Sequence, residues 1–125
     1  MTTQNLRHSR SSLLVTKRVT IVQDIYADVI GAVAREYGYP VSKITCKRRT
    51  FEVVMARNMA CYILHTTFKQ RASQIAPFFF RDRTTILHAV NSFTQDIKQI
   101  PFLKEKYDYV MNRIEHLHST IYALQ

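Results

Sequence analysis

Arg81-Asp82-Arg83-Thr84-Thr85-Ile86-Leu87-His88-Ala89 decides how this chain reads. The stretch opens with charge and hydroxyls and turns apolar at Ile86, followed by Val90, Phe93, Ile97 and Ile100 in steps of four, three, four and three. That spacing puts the five apolar side chains on one face of a helix. Asp82 suits the N-cap position, with Thr84 and Thr85 in the first turn. The inner face is core, and the N-terminal end presents Arg81, Arg83 and Thr84 outward. In a strongly basic chain, this is how the second helix of a helix-turn-helix meets the DNA major groove. Periodicity alone favours an ordinary capped core helix.

Working outward, 125 residues make one domain with room for tails, and 46% hydrophobic content supports a modest core. Two glycines and three prolines leave little turn material for a β-rich fold, so helices are expected throughout. No apolar run reaches membrane-spanning length, and no signal peptide is expected. Cys46 and Cys61 are expected as reduced thiols in a cytoplasm. The net charge of +9 is unevenly placed. Residues 1–50 hold nine Lys/Arg against three acids, residues 51–100 six against three, and residues 101–125 three against three. A polyanion is the implied partner, with nucleic acid ahead of a membrane.

Residues 1–19 read as a basic tail with one apolar patch, Leu13-Leu14-Val15. Thr20 and Gln23 fit a capping box. Val22, Tyr26, Val29, Val33 and Tyr37 mark the face of the helix that follows, which Gly38 and Pro40 end. Ser42 to Cys46 predicts one short helical turn, and Phe51 to Phe68 a long central helix. Arg57 and Asn58 interrupt the apolar surface of that helix and are expected to emerge at one edge. After a polar break at Lys69 to Ser73, a short helix is expected to begin at Gln74-Ile75-Ala76, with Pro77 in or near its first turn. Residues 20–100 form the predicted domain, and Pro101 separates it from an amphipathic helix over 101–125. Leu103, Tyr107, Val110, Ile114, Leu117, Ile121 and Leu124 form the stripe of that helix, suited either to the chain's own core or to a seam between two copies.

Arg81 to Ala89 closely resembles the signature of the DNA-binding domain of the DnaA replication initiators, read R-D-H-T-T-V-L-H-A; seven of nine positions agree. The similarity extends through Lys47-Arg48-Arg49, Ala56-Arg57-Asn58-Met59-Ala60 and Ile75, from about Ile21 to Ile100. It implies an all-α, compact helix-turn-helix bundle, here with a long C-terminal helix. In that family a glycine stands just before the Arg-Asp pair. Phe80 stands there in this chain, so it must avoid a left-handed backbone or accept its strain, and a locally different turn is expected.

No catalytic set emerges. Cys61 and His65 lack a second pair at zinc-site spacing, His88 and Ser92 lack a nucleophile turn, and there is no G-x-x-x-x-G-K-[ST]. No metal, cofactor or enzymatic activity is expected, and the resembled initiator hydrolyses ATP in a separate domain. Base-reading chemistry centres on the helix start: Arg83 suits guanine O6 and N7, Thr84 a thymine methyl and Asp82 a cytosine amino group, a role that competes with capping. The resemblance assigns the major groove to Asp82, Arg83 and Thr84, and the neighbouring minor groove to Arg49. It places Lys47, Arg57, Asn58 and Thr85 on or near the backbone, where Arg48 and Arg81 add charge. Arg83 replaces the family's histidine, which predicts a shift toward guanine and a steeper salt dependence.

The expectation is sequence-specific binding of double-stranded DNA at sites related to the initiator's box, regulating replication initiation or transcription. The setting is a bacterial or mobile-element cytoplasm, in association with the nucleoid. The alternative is an interaction module that dimerises or engages a replication protein through its C-terminal helix. Non-specific or RNA binding would need exposed stacking aromatics, for which only Phe78-Phe79-Phe80 is a candidate.

Overall fold

The computed structural model describes residues 25–47 and 50–123, with side chains through Leu117. The tail at 1–19, the Thr20/Gln23 capping box, Val22, Arg48, Arg49 and the side chains of Ile121 and Leu124 lie outside the described residues. Every regular element among those described is helical, so the fold is all-α.

Helix α1 spans 25–37 and buries Tyr26, Val29 and Val33. Gly38 then takes φ 76°, and the chain closes with Gly38 N donating to Arg35 O and Tyr39 N to Ala34 O, at 3.2 and 2.9 Å. This paired closure is a Schellman motif, in which glycine supplies the left-handed residue at no steric cost. Helix α2, Val41–Thr45, follows directly from Pro40 and buries Ile44.

Helix α3, Phe51–Thr66, is the central element, with Val53, Met55, Ala56, Met59, Ala60, Cys61, Ile63 and Leu64 all buried. It stops before Phe68, because Thr67 N and Phe68 N both turn back to Ile63 O and Lys69 enters the left-handed region at φ 58°. Gln70 holds this turn: its Oε1 accepts from the Tyr26 hydroxyl at 2.9 Å, and its Nε2 donates to Phe68 O at 3.1 Å.

Helix α4, Ala72–Ile75, starts two residues earlier than the expected Gln74. Gln74 does not open the helix but caps it, its Oε1 accepting from Arg71 N at 2.8 Å. A 3-10 turn, Ala76–Phe79, contains Pro77 and leads to Phe80 at φ 54°, ψ 43°. The expected departure from a left-handed turn is therefore not found. Phe80 N donates to Pro77 O at 3.3 Å and Arg81 N to Ala76 O at 3.1 Å, the same paired closure as at Gly38. Phe79 is fully buried, so its anchoring holds the turn in that shape despite the side chain at Phe80.

Helix α5, Arg83–Gln99, packs along α3 and buries Ile86, Val90 and Phe93. Phe93 sits at 4.8 Å from the Tyr62 ring, and Tyr107 meets both rings. Ile100 is extended, as the residue before a proline prefers, and Pro101 opens α6, Pro101–Ala123. Leu103, Val110 and Ile114 are buried in the chain's own core and Tyr107 packs against it, whereas Leu117 is 38% exposed.

Candidate nucleic-acid interface

Helix α4, the 3-10 turn and α5 form a helix-turn-helix whose second helix begins in solvent. Asp82 is its N-cap, with Oδ1 accepting from Thr85 N at 2.8 Å. That hydrogen bond favours the carboxylate and holds the Asp82 pKa below its usual value. Arg83, Thr84 and Thr85 are all exposed. The helix N-terminus adds a partial positive charge and free N–H groups.

Behind this edge, two arginines converge on the end of α2. Arg57 of α3 is only 6% exposed; its Nε donates to Ile44 O at 2.9 Å and its Nη2 to Cys46 O at 2.7 Å. The expectation that Arg57 emerges at an exposed edge is thus corrected: a largely buried guanidinium on α3 satisfies carbonyls that α2 leaves open at its C-terminus, while the side chain still lines the cleft between α3 and α5. Arg81, half-buried, extends Nη2 to the same Cys46 carbonyl at 3.4 Å. The segment that carries exposed Lys47 is therefore tied both to the central helix and to the residue before the α5 cap.

Two clefts adjoin at Arg81 and Thr85. One is lined by Lys47, Phe80, Arg81, Asp82 and Thr85. The other runs between α3 and α5 and includes Asn58, Arg81, Thr85, His88 and Ser92. Of the residues expected at the site, Lys47, Arg57, Asn58, Arg81, Asp82 and Thr85 are brought together by these clefts, with Arg83 and Thr84 at the open helix start beside them. His88 was not expected on this surface. The signal was present in the spacing, because Arg81, Thr85, His88 and Ser92 fall in steps of four, three and four along one face. Cys61 lies at the floor of the second cleft, and burial pushes its thiol up to about 12, so it stays protonated and unreactive. His65 has its Nδ1 at 3.0 Å from Gln70 O.

The family model described as the bacterial dnaA protein helix-turn-helix matches residues 26–92, more than half of the chain. The chain belongs to the bacterial DnaA helix-turn-helix family. It is 30% identical over 89 residues to the chromosomal replication initiator protein DnaA of Nautilia profundicola, covering 70% of this chain and 20% of that protein. The protein of the same name from Deinococcus radiodurans is 31% identical over 88 residues, covering 70% of this chain and 19% of its own length. The chain thus spans about a fifth of the length of these curated DnaA relatives. The matched region contains both clefts and the whole exposed start of α5. Membership of the DnaA helix-turn-helix family supports DNA binding. Among the described residues no helix is long and apolar enough to cross a membrane.

Proposed function

We propose that the chain binds double-stranded DNA sequence-specifically at sites related to the DnaA box, and so regulates replication initiation or transcription without hydrolysing ATP. The observation that carries this reading is the exposed, Asp82-capped start of α5, joined through Arg81 and the Cys46 carbonyl to the segment bearing Lys47. In this reading the first turn of α5 enters the major groove. Arg83 grips guanine O6 and N7 with its planar fork, and Thr84 sets its methyl against a thymine methyl. Asp82 keeps acceptor capacity for a cytosine amino group while it caps the helix, since a carboxylate offers several lone pairs. Arg49 enters the adjoining minor groove. Lys47, Arg48, Arg81, Asn58 and Thr85 lie along the phosphates, where they fix register. Arg57 serves this surface from behind.

Selection from random duplex DNA at near-physiological salt tests the reading, run in parallel with Arg49→Ala and Arg83→His. One enriched motif related to the DnaA box is expected. Arg49→Ala should weaken its binding about tenfold or more. Arg83→His should shift preference away from guanine at one or two positions and flatten the log-log salt slope by about 0.9 for each phosphate that the histidine leaves unneutralised. Flat enrichment with salt-sensitive retention would leave only the electrostatic term and sink the claim of specificity.

A second reading rests on Leu117, which continues the buried stripe of α6 yet stands exposed. That residue suits an apolar seam with a second copy or a replication protein. Sedimentation of wild type against Leu117→Asp tests it: a concentration-dependent dimer lost in the variant supports the seam, and a monomer in both removes self-association.

A further inference from the structure

The three consecutive phenylalanines before α5 have three different fates. Phe79 is fully buried in the core, and Phe78 stacks on Tyr26 with ring centroids 3.9 Å apart. Phe80 is 68% exposed and holds a left-handed backbone at φ 54°. An L side chain is disfavoured there, and burial of the ring does not offset the cost. A strained, exposed aromatic in this setting points to an external partner. Its neighbours narrow the partner's chemistry. Phe80 shares a cleft wall with the cations Lys47 and Arg81 and with Asp82 and Thr85, two residues ahead of the α5 N-cap. Cations around an apolar ring suit a ligand that alternates phosphate with apolar carbon.

We infer that Phe80 is a DNA-contacting residue whose ring packs on apolar carbon at the edge of the bound site, either a deoxyribose or a thymine methyl, next to the bases read from the start of α5. The inference rests on the DNA-binding reading above. On its other side the ring borders an apolar groove with Tyr26, Ile30, Val41 and Phe78. A protein partner seated in that groove is the competing outcome.

The test compares the full chain with Phe80→Gly and Phe80→Asn, both of which accept a left-handed backbone. Each is measured for thermal midpoint and for affinity to the selected duplex, and to copies with single thymines replaced by uracil. Both variants are expected to melt no lower than wild type and to bind about tenfold more weakly. One uracil position that weakens wild type but neither variant identifies a thymine methyl. A uniform loss in the variants, with no sensitive position, identifies the sugar. Folded variants with wild-type affinity overturn the inference while leaving the DNA-binding reading intact, and so does a lowered midpoint with unchanged affinity, which assigns the ring to packing or to a protein partner. No retention of wild type on any duplex sinks both.

Discussion

The chain reverses direction after α1 and again before α5 with the same hydrogen-bond pattern and different residues at the left-handed position. In the first reversal Tyr39 N reaches back to Ala34 O and Gly38 N to Arg35 O; in the second Arg81 N reaches Ala76 O and Phe80 N reaches Pro77 O. Each runs from a left-handed residue through one intervening residue to an extended N-cap, Pro40 in the first case and Asp82 in the second. Gly38 adopts its conformation freely, whereas Phe80 bears a penalty of about 1–2 kcal/mol for the same geometry. The first reversal is scaffold, its Tyr39 hydroxyl donating to Glu52 Oε1 at 3.1 Å. The second faces the proposed DNA. Identical backbone solutions can therefore be filled for folding in one place and against folding in another, and the second kind marks where binding is to be sought.

The two reversals are joined by α2, which follows its N-cap Pro40 and ends beside the Cys46 carbonyl that Arg57 and Arg81 share. Breaking that joint should have the largest effect. Arg57→Met keeps the volume but leaves the Ile44 and Cys46 carbonyls without its donors, at a cost of about 2–4 kcal/mol. Urea denaturation should show a lowered midpoint with an unchanged m value, and Arg57→Lys should not rescue it, because an ammonium lacks the planar fork. Wild-type stability with a loss confined to DNA affinity would return Arg57 to the phosphate backbone.

Next in size is a change that turns the first reversal into the second. A Cβ at Gly38 would meet nothing within 4 Å, so Gly38→Ala isolates the conformational cost. That cost is about 1 kcal/mol, or roughly 5 °C in the thermal midpoint of a domain this size. DNA affinity should be unchanged. A midpoint equal to wild type would show that the left-handed position carries no penalty here, and the contrast with Phe80 would lose its meaning.

These contrasts also show where sequence stopped being informative. The α5 face was legible because Ile86, Val90 and Phe93 follow the helical period, and Asp82 was legible as a cap because its oxygen acts within three residues. Arg57 was not, since a charged residue on an apolar helix either reaches solvent or finds acceptors elsewhere, and its acceptors lie 11 and 13 residues back. Phe80 misled for the opposite reason: local preference opposes the left-handed state, and the anchored Phe79 and paired closure override it. Gln74 was read as a helix start because the side-chain bond to Arg71 N, which makes it a cap, leaves no apolar period. Within the site, exposure of Arg83, Thr84 and Thr85 followed from charge and hydroxyls at a helix start. The adjacency of Lys47 to that start is a tertiary fact, seen in the cleft they share and in the Cys46 carbonyl that Arg81 reaches.

The smallest effect expected separates the two reversals at their final residue. Pro40 starts α2 with no side-chain cap, whereas Asp82 starts α5 with a carboxylate that accepts from Thr85 N. That bond lowers the Asp82 pKa in the folded chain relative to the unfolded one. A depressed carboxylate contributes stability that is fully present above its unfolded value of about 3.9 and is lost as pH falls through the lower folded value. Asp82→Asn keeps a good capping side chain but removes the titration. Wild type should therefore lose stability more steeply than Asp82→Asn as the pH is lowered from 5 to 2, and the two should run parallel above pH 5. Because Asp82 is fully exposed, the divergence should shrink in high salt to the extent that the helix dipole supplies it. Identical pH profiles would mean that the capping bond does not discriminate between the charged and neutral carboxyl. Asp82 would then be held at the start of α5 for the base it meets rather than for the helix it starts.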